Sequence, residues 1–148
     1  IEENAKYLEE NRLRIYHWFM VEDLMYLKRG GRIPATTAIV GSALNIKPLL
    51  KVERDGTLST FAKKRGAKAA MNELLELYKT HSVGGDKERI IIIHADDPAK
   101  AEYLKAGVLA VNPKADISTV MLSPIIGAHV GPGALALFFL SDDKVRMI

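Results

Sequence analysis

The chain has 148 residues and a mass of 16.3 kDa, the size of one ordinary domain. Hydrophobic residues make up 48% and charged residues 26%, enough apolar material for a core, which excludes wholesale disorder. Net charge is +3, cysteine is absent and no apolar run reaches bilayer-spanning length. Disulfides, thiolate metal sites, a cysteine nucleophile and a membrane-spanning helix are therefore excluded.

The chain opens on Ile1-Glu2-Glu3-Asn4, which does not form a signal peptide. Starting on Ile1 rather than Met, it is expected to be a fragment or processed product of something longer. Lack of cysteine suits a reducing compartment, and a cytoplasmic location is expected. Residues 1–12 read as a polar helix, with Glu2 and Glu3 complementing the macrodipole. Its apolar face (Ala5, Leu8) is thin, so it is expected to pack on something outside this chain. Residues 15–20 are aromatic-rich and read as a buried strand. Residues 22–29 follow as a short helix that acids lead, Lys28 and Arg29 end, and Gly30-Gly31 stop.

Residues 34–45 predict a helix with Pro34 at its first position and no charged side chain. Its small residues (Ala35, Ala38, Gly41, Ala43) permit close approach, and Ile39, Val40 and Leu44 are apolar. A tightly packed core helix and a helix lining an apolar cavity both fit. Residues 48–53 and 57–63 form a hairpin around Asp55-Gly56. Residues 66–81 form an amphipathic helix, with Ala67, Ala70, Met71, Leu74, Leu75 and Tyr78 on one face. Ile90-Ile91-Ile92-Ile93 reads as a strand buried on both faces. Asp97-Pro98 starts a helix to about residue 110. Residues 117–122 form a strand, 123–133 a Gly/Pro loop and 134–140 a last apolar strand. The fold class is α/β, with a mixed, largely antiparallel sheet packed with helices.

Charge is unevenly distributed. Residues 28–68 carry ten basic and two acidic groups, a net of +8 between two mildly acidic stretches. Such a stretch attracts phosphates, carboxylates, nucleic acid or an acidic partner; a solvated Lys/Arg face explains it equally. None of His17, His81, His94 and His129 sits at zinc spacing, and the glycines match neither a dinucleotide fingerprint nor a P-loop. His94 and Asp97 fit a strand end and a helix cap better than a metal site. The segment around His129 sets one titratable group among glycines that let backbone approach a ligand. An imidazole there can donate to an anionic head group, or it can be a turn histidine bonded to backbone. Arg32 and Arg65 offer guanidinium forks suited to carboxylate or phosphate. Two further classes stay open on these residues. One is a small hydrolase or phosphotransferase using His129, with Ser123 as its candidate nucleophile. The other is a basic anion- or nucleic-acid-interacting domain, although no aromatic stacking platform accompanies the basic stretch.

Three segments together resemble a known family. Leu27-Lys28-Arg29-Gly30-Gly31-Arg32-Ile33 leads into Leu44-Asn45-Ile46-Lys47-Pro48, Asp55-Gly56 precedes Lys64-Arg65-Gly66, and Gly127-Ala128-His129-Val130-Gly131-Pro132-Gly133-Ala134 follows. Their order and spacing resemble the DegV family of bacterial fatty-acid-binding proteins, over residues 16–140. Val130 stands where the family commonly has threonine. The resemblance implies a two-lobed lipid-binding protein, of which residues 15–148 correspond to the C-terminal lobe and 1–14 to the helix linking it to an N-terminal lobe. That N-terminal lobe supplies hydroxyl residues for the carboxylate. The implied activity is a non-catalytic acyl carrier with no cofactor and no metal. It holds a long-chain fatty acid, or the acyl phosphate, in an apolar tunnel and presents the head group to a separate ATP-dependent fatty acid kinase. Neither nucleic acid nor a membrane span is implied, and contact with a membrane surface is at most transient. By motif position, His129 contacts the carboxylate, while Arg32 and Arg65 lie near the portal. Gly127, Ala128 and Gly131 form the ligand loop. Phe19, Leu27, Ile33, Ile39, Val40, Ala43, Leu44 and Ile126 line the tail.

Overall fold

A computed structural model describes residues 1–34 and 45–141. Helix α1 (Glu2–Asn11) precedes β1 (Ile15–Met20) and the short α2 (Leu24–Arg29). The Asp23 carboxylate caps α2 by accepting from the Met25 N–H at 2.8 Å. Strands β2 (Ile46–Val52) and β3 (Leu58–Arg65) form the expected hairpin. Its turn is closed by Asp55 Oδ1, which accepts from the Thr57 N–H and hydroxyl, and by Gly56 at φ 86°. Helix α3 (Ala67–His81), β4 (Arg89–His94), α4 (Pro98–Val111) and β5 (Asp116–Met121) follow. As expected, Asp97 caps α4 by accepting from the Lys100 N–H, with Pro98 leading the helix. The chain then forms α5 (Pro124–Val130) and β6 (Leu135–Leu140). The predicted helix over residues 34–45 falls almost wholly outside the described residues.

The strands make one sheet in the order β3-β2-β1-β6-β4-β5. Every neighbouring pair is antiparallel except β4 and β5, which are parallel and joined through α4. A parallel pair needs a long crossover, and the helix supplies it. The sheet is thus mixed and largely antiparallel, as the sequence predicts.

Strand alternation divides the core in two. On one face, Tyr16, Leu49, Ile90, Ile92, Leu135, Leu137 and Phe139 pack under Ala70, Leu74 and Tyr78 of α3 and Ala101, Leu104 and Val108 of α4. Phe139 stacks on Tyr16 at 4.7 Å and meets Tyr78 edge-on at 5.3 Å between ring centroids. On the other face, Leu50 packs with Leu24 and Leu27 of α2, Val130 of α5, Val21, Ile33, Ala95 and Ala134. Helix α1 leaves Tyr7 and Leu8 exposed and is tied to the domain at its end, where Arg14 donates to the Ser141 carbonyl at 2.9 Å.

Two expectations are corrected. Residues 123–133 are not a continuous loop, because 124–130 form α5. Pro124 at the first position and Gly131 just past the end are its start and stop signals. Between them Ile125, Ile126 and Gly127 have poor helix propensity, and packing against α2 overrides it. The isoleucine strand is not buried on both faces either. Ile90 and Ile92 are fully buried, but Ile91 is 36% exposed, since no described helix covers that part of the second face.

The Tyr78 hydroxyl donates to the buried Glu88 carboxylate at 2.8 Å. Burial, reinforced by Glu88, pushes the Tyr78 phenol up to about 12. The unfolded chain releases this proton near the ordinary tyrosine value of about 10, so the contribution to stability is present below that value and is lost as pH rises through the folded one. Phenolate absorbance in an alkaline titration should show one late-ionising tyrosine that vanishes in Tyr78→Phe. The same substitution should cost about 1–3 kcal/mol in urea unfolding, because it strips a hydrogen bond from a buried carboxylate.

Candidate functional site

The half-covered face of the sheet holds an apolar cleft of about 390 Å³. Strand register builds its floor. Phe19 of β1 and Ile93 of β4 both lie opposite Ala136 of β6, and His17 lies opposite Phe138. Alternation sends these side chains to the face away from α3 and α4. The His17 ring meets the Phe138 ring edge-on at 5.2 Å. Val52 and Leu58 close one side from the hairpin, Leu27 and Arg32 another, and Ile125, Ile126, His129 and Val130 a third from α5. Ala136 is the smallest side chain in the middle of this floor and leaves the space open.

The polar part of the lining is organised around Gly30. Arg32 donates from its guanidinium to the Gly30 carbonyl at 2.5 Å. A Cβ built on Gly30 would collide with His129 Nδ1, so the missing side chain is what lets the imidazole lie against the backbone. Gly30 itself has φ −77°, open to any residue, so the requirement is for space alone. Gly131 ends α5 at φ 79° and ψ 170°, a region held almost only by glycine, and its Cβ would lie 2.5 Å from the Tyr26 ring. Two glycines therefore set the close approach of α2 and α5, and with it the approach of His129 to Gly30 in the cleft lining.

The structure brings Phe19, Leu27, Arg32, Ile126 and His129 together in the cleft lining. Ile33 is buried behind it, in the core cluster that includes Leu27 and Val130. Arg65 is elsewhere: it ends β3 opposite Ile46, seven residues beyond Leu58, and is exposed. Gly127 and Gly131 border a smaller cleft of about 200 Å³ with Asp96, Ser123 and Pro132. Ala128 is an exposed residue of α5. Ile39, Val40, Ala43 and Leu44 lie outside the described residues. Sequence reasoning missed His17, Ile93, Ala136 and Phe138. The signal for Ala136 and Phe138 is the unbroken apolar run of β6, which implies that both faces of that strand are used.

The basic stretch is partly neutralised in place, since Lys47, Lys51 and Lys64 pair with Glu22, Glu53 and Glu73. Among the described residues, no group of acidic or histidine side chains is arranged to hold a metal ion, and no helix is long and apolar enough to cross a membrane.

A family model described as "Uncharacterised protein, DegV family" matches residues 1–142. A DegV domain-containing protein of Clostridium perfringens is 40% identical over 144 residues, which cover 97% of this chain and 50% of that protein. The crystal structure of DegV from Bacillus subtilis, a fatty acid binding protein, is 31% identical with a TM-score of 0.78, covering 95% of this chain and 50% of that one. The fold is shared with the fatty acid kinase B3 protein of Streptococcus pneumoniae loaded with linoleic acid, at 24% identity and a TM-score of 0.84, with coverage of 95% and 50%. The chain spans about half the length of the relatives it matches.

Two substitutions separate space from strain. Gly30→Ala should leave the backbone unstrained but displace the imidazole, so the His129 ring resonances in an NMR spectrum should shift while the protein stays folded. Gly131→Ala should cost at least about 1–3 kcal/mol from backbone strain alone, with the Tyr26 clash added, measured by urea unfolding.

Proposed function

We propose that this chain, which belongs to the DegV family, binds the hydrocarbon chain of a long-chain fatty acid in the cleft over Phe19, Ala136 and Phe138, with Arg32 and His129 at the head-group end. The observation that carries the reading is this pairing: an apolar cleft in whose lining the Arg32 guanidinium and the His129 imidazole both meet Gly30. The 31% identical Bacillus subtilis structure, a fatty acid binding protein, supports it.

The energetics suit a carrier. Burying a methylene is worth ~0.8 kcal/mol, so a tail of about 15 methylenes gains roughly 12 kcal/mol before ordering and desolvation reduce it. Affinity then comes from the tail, and the polar end sets orientation. The Arg32 guanidinium in the lining favours capture of an anion.

In this reading residues 15–148 are the C-terminal lobe of a two-lobed protein and 1–14 the linking helix. The exposed apolar residues on the cleft side, Ile125 at 78% and Ile126 at 52%, support a second body over this face. The N-terminal lobe would complete the carboxylate site. Ile39, Val40, Ala43 and Leu44 would cover the tail. The protein acts as a non-catalytic carrier that presents its ligand to an ATP-dependent fatty acid kinase. His129 and Arg32 hold the carboxylate or acyl phosphate, and Arg65, away from the cleft, faces the kinase.

Native mass spectrometry of the intact protein, followed by organic extraction, tests the reading. A co-purified long-chain fatty acid is expected; no bound lipid, together with no uptake of added palmitic acid, would overturn it. Ala136→Phe fills the middle of the floor and should weaken palmitic acid binding by more than tenfold in a fluorescence displacement titration, with the fold intact by circular dichroism.

A further inference from the structure

Outside the cleft lining lies a cluster of paired charges that the binding reading does not use. Lys100 Nζ, on the first turn of α4, meets Glu22 Oε1 at 2.5 Å, Asp97 Oδ2 at 2.9 Å and the Gly133 carbonyl at 3.2 Å. Lys47 of β2 takes the other Glu22 oxygen. Both lysine side chains are only 15% exposed. None of these four charged residues lines the cleft.

The cluster holds the chain just before α2, which leads to Arg32, and just after α5, which carries His129. Glu22 is the residue before Asp23, the cap of α2, and α2 runs directly to Gly30 and Arg32. Gly133 lies in the turn that leaves α5, four residues after His129. A Cβ on Gly133 would lie 2.7 Å from Glu22 Cγ and 3.0 Å from Lys100 Nζ, so the turn backbone rests directly on the ion pair. The Gly133 N–H donates to the Ala95 carbonyl at 2.6 Å, and the Ala95 N–H to the Ala134 carbonyl at 2.9 Å. The turn is thereby fixed to the end of β4 on one side and to Lys100 on the other.

We propose that the Glu22–Lys100 pair is a positioning device: by tying the start of α2 to the end of α5, it fixes the separation of Arg32 and His129 and so sets how strongly the protein prefers a carboxylate over a neutral head group. This rests on the acyl-binding reading. Charge-assisted hydrogen bonds suit the role, because they are short and directional where partly shielded from water. Burial alone would raise the Glu22 carboxyl, but the hydrogen bonds and charges of Lys100 and Lys47 outweigh it and hold it below the ordinary carboxylate value. Burial alone would lower Lys100, and Glu22 and Asp97 outweigh that too. The pair therefore stays ionised through neutral pH and is a fixed strut rather than a pH switch.

A merely structural ion pair would affect every ligand alike, and a positioning pair would not. Calorimetric titration of the intact protein with palmitic acid and with hexadecanol separates the two. The wild type is expected to prefer the acid. Lys100→Met should cut that preference by about tenfold, the weight of one hydrogen bond to a charged group, with hexadecanol affinity nearly unchanged. Lys100→Arg, which retains the charge and can reach the same acceptors, should restore the preference. An unchanged ratio in a folded Lys100→Met protein would overturn the proposal while leaving acyl binding intact. If Lys100→Met does not fold, Glu22→Gln is read the same way and an unchanged ratio there overturns it. Failure of both probes to bind the wild type would sink the acyl reading and this one with it.

Discussion

A sheet that is apolar on both faces but, among the described residues, roofed by long helices on only one is the constraint from which the rest of this molecule follows. Helices α3 and α4 bury one side of every central strand. Among the described residues, the other side carries α2, of six residues, and α5, of seven, too little helix to cover six strands. What they leave open is the row from Phe19 through Ala136 to Ile93, and the His17–Phe138 row beside it. Apolar surface of this kind is costly to leave in water and marks a binding face. The cleft is thus the unroofed part of the fold's own core rather than a feature added to it.

Local chemistry made much of this fold readable. The cap at Asp97 starts α4 where the sequence places it, the cap at Asp23 starts α2 two residues later than the expected 22–29, and the Asp55-Gly56 turn fixes the hairpin. Each is a contact between residues a few positions apart, which a sequence pattern can carry. Helix α5 was hidden because its interior favours extended chain, and only its tertiary packing against Tyr26 and Gly30 holds it. The isoleucine strand was overread for a related reason. An apolar run shows that both faces are hydrophobic, but not whether the chain itself supplies the second cover.

The candidate site divides along the same line. His129 and Arg32 stand out by their own chemistry, Leu27, Phe19 and Ile126 through the family resemblance, and the structure gathers all five in one lining. The floor residues supplied by β4 and β6 depend on register across the sheet, since Ala136 faces Phe19 only because β6 pairs with β1 over more than a hundred residues of chain. No periodicity encodes such a pairing. The Glu22–Lys100 contact, between residues 78 positions apart, is hidden in the same way. In the sequence Lys100 is one more lysine in a helix.

Glycine does two kinds of work at the mouth, and the difference bears on how such a site can vary. Gly31 and Gly131 supply positive φ values that other residues reach only under strain, so they fix the course of the backbone. Gly30 lies in ordinary helical space and is needed for what it leaves out, the volume His129 occupies. The first kind is a condition of folding. The second is a condition of the site alone, because a side chain there would be tolerated by the backbone and refused by the imidazole. A cleft whose apolar floor derives from the core and whose polar lining derives from an absent side chain can change the two independently. Ala136 sets how much space the floor leaves, and Gly30 sets where the His129 imidazole lies.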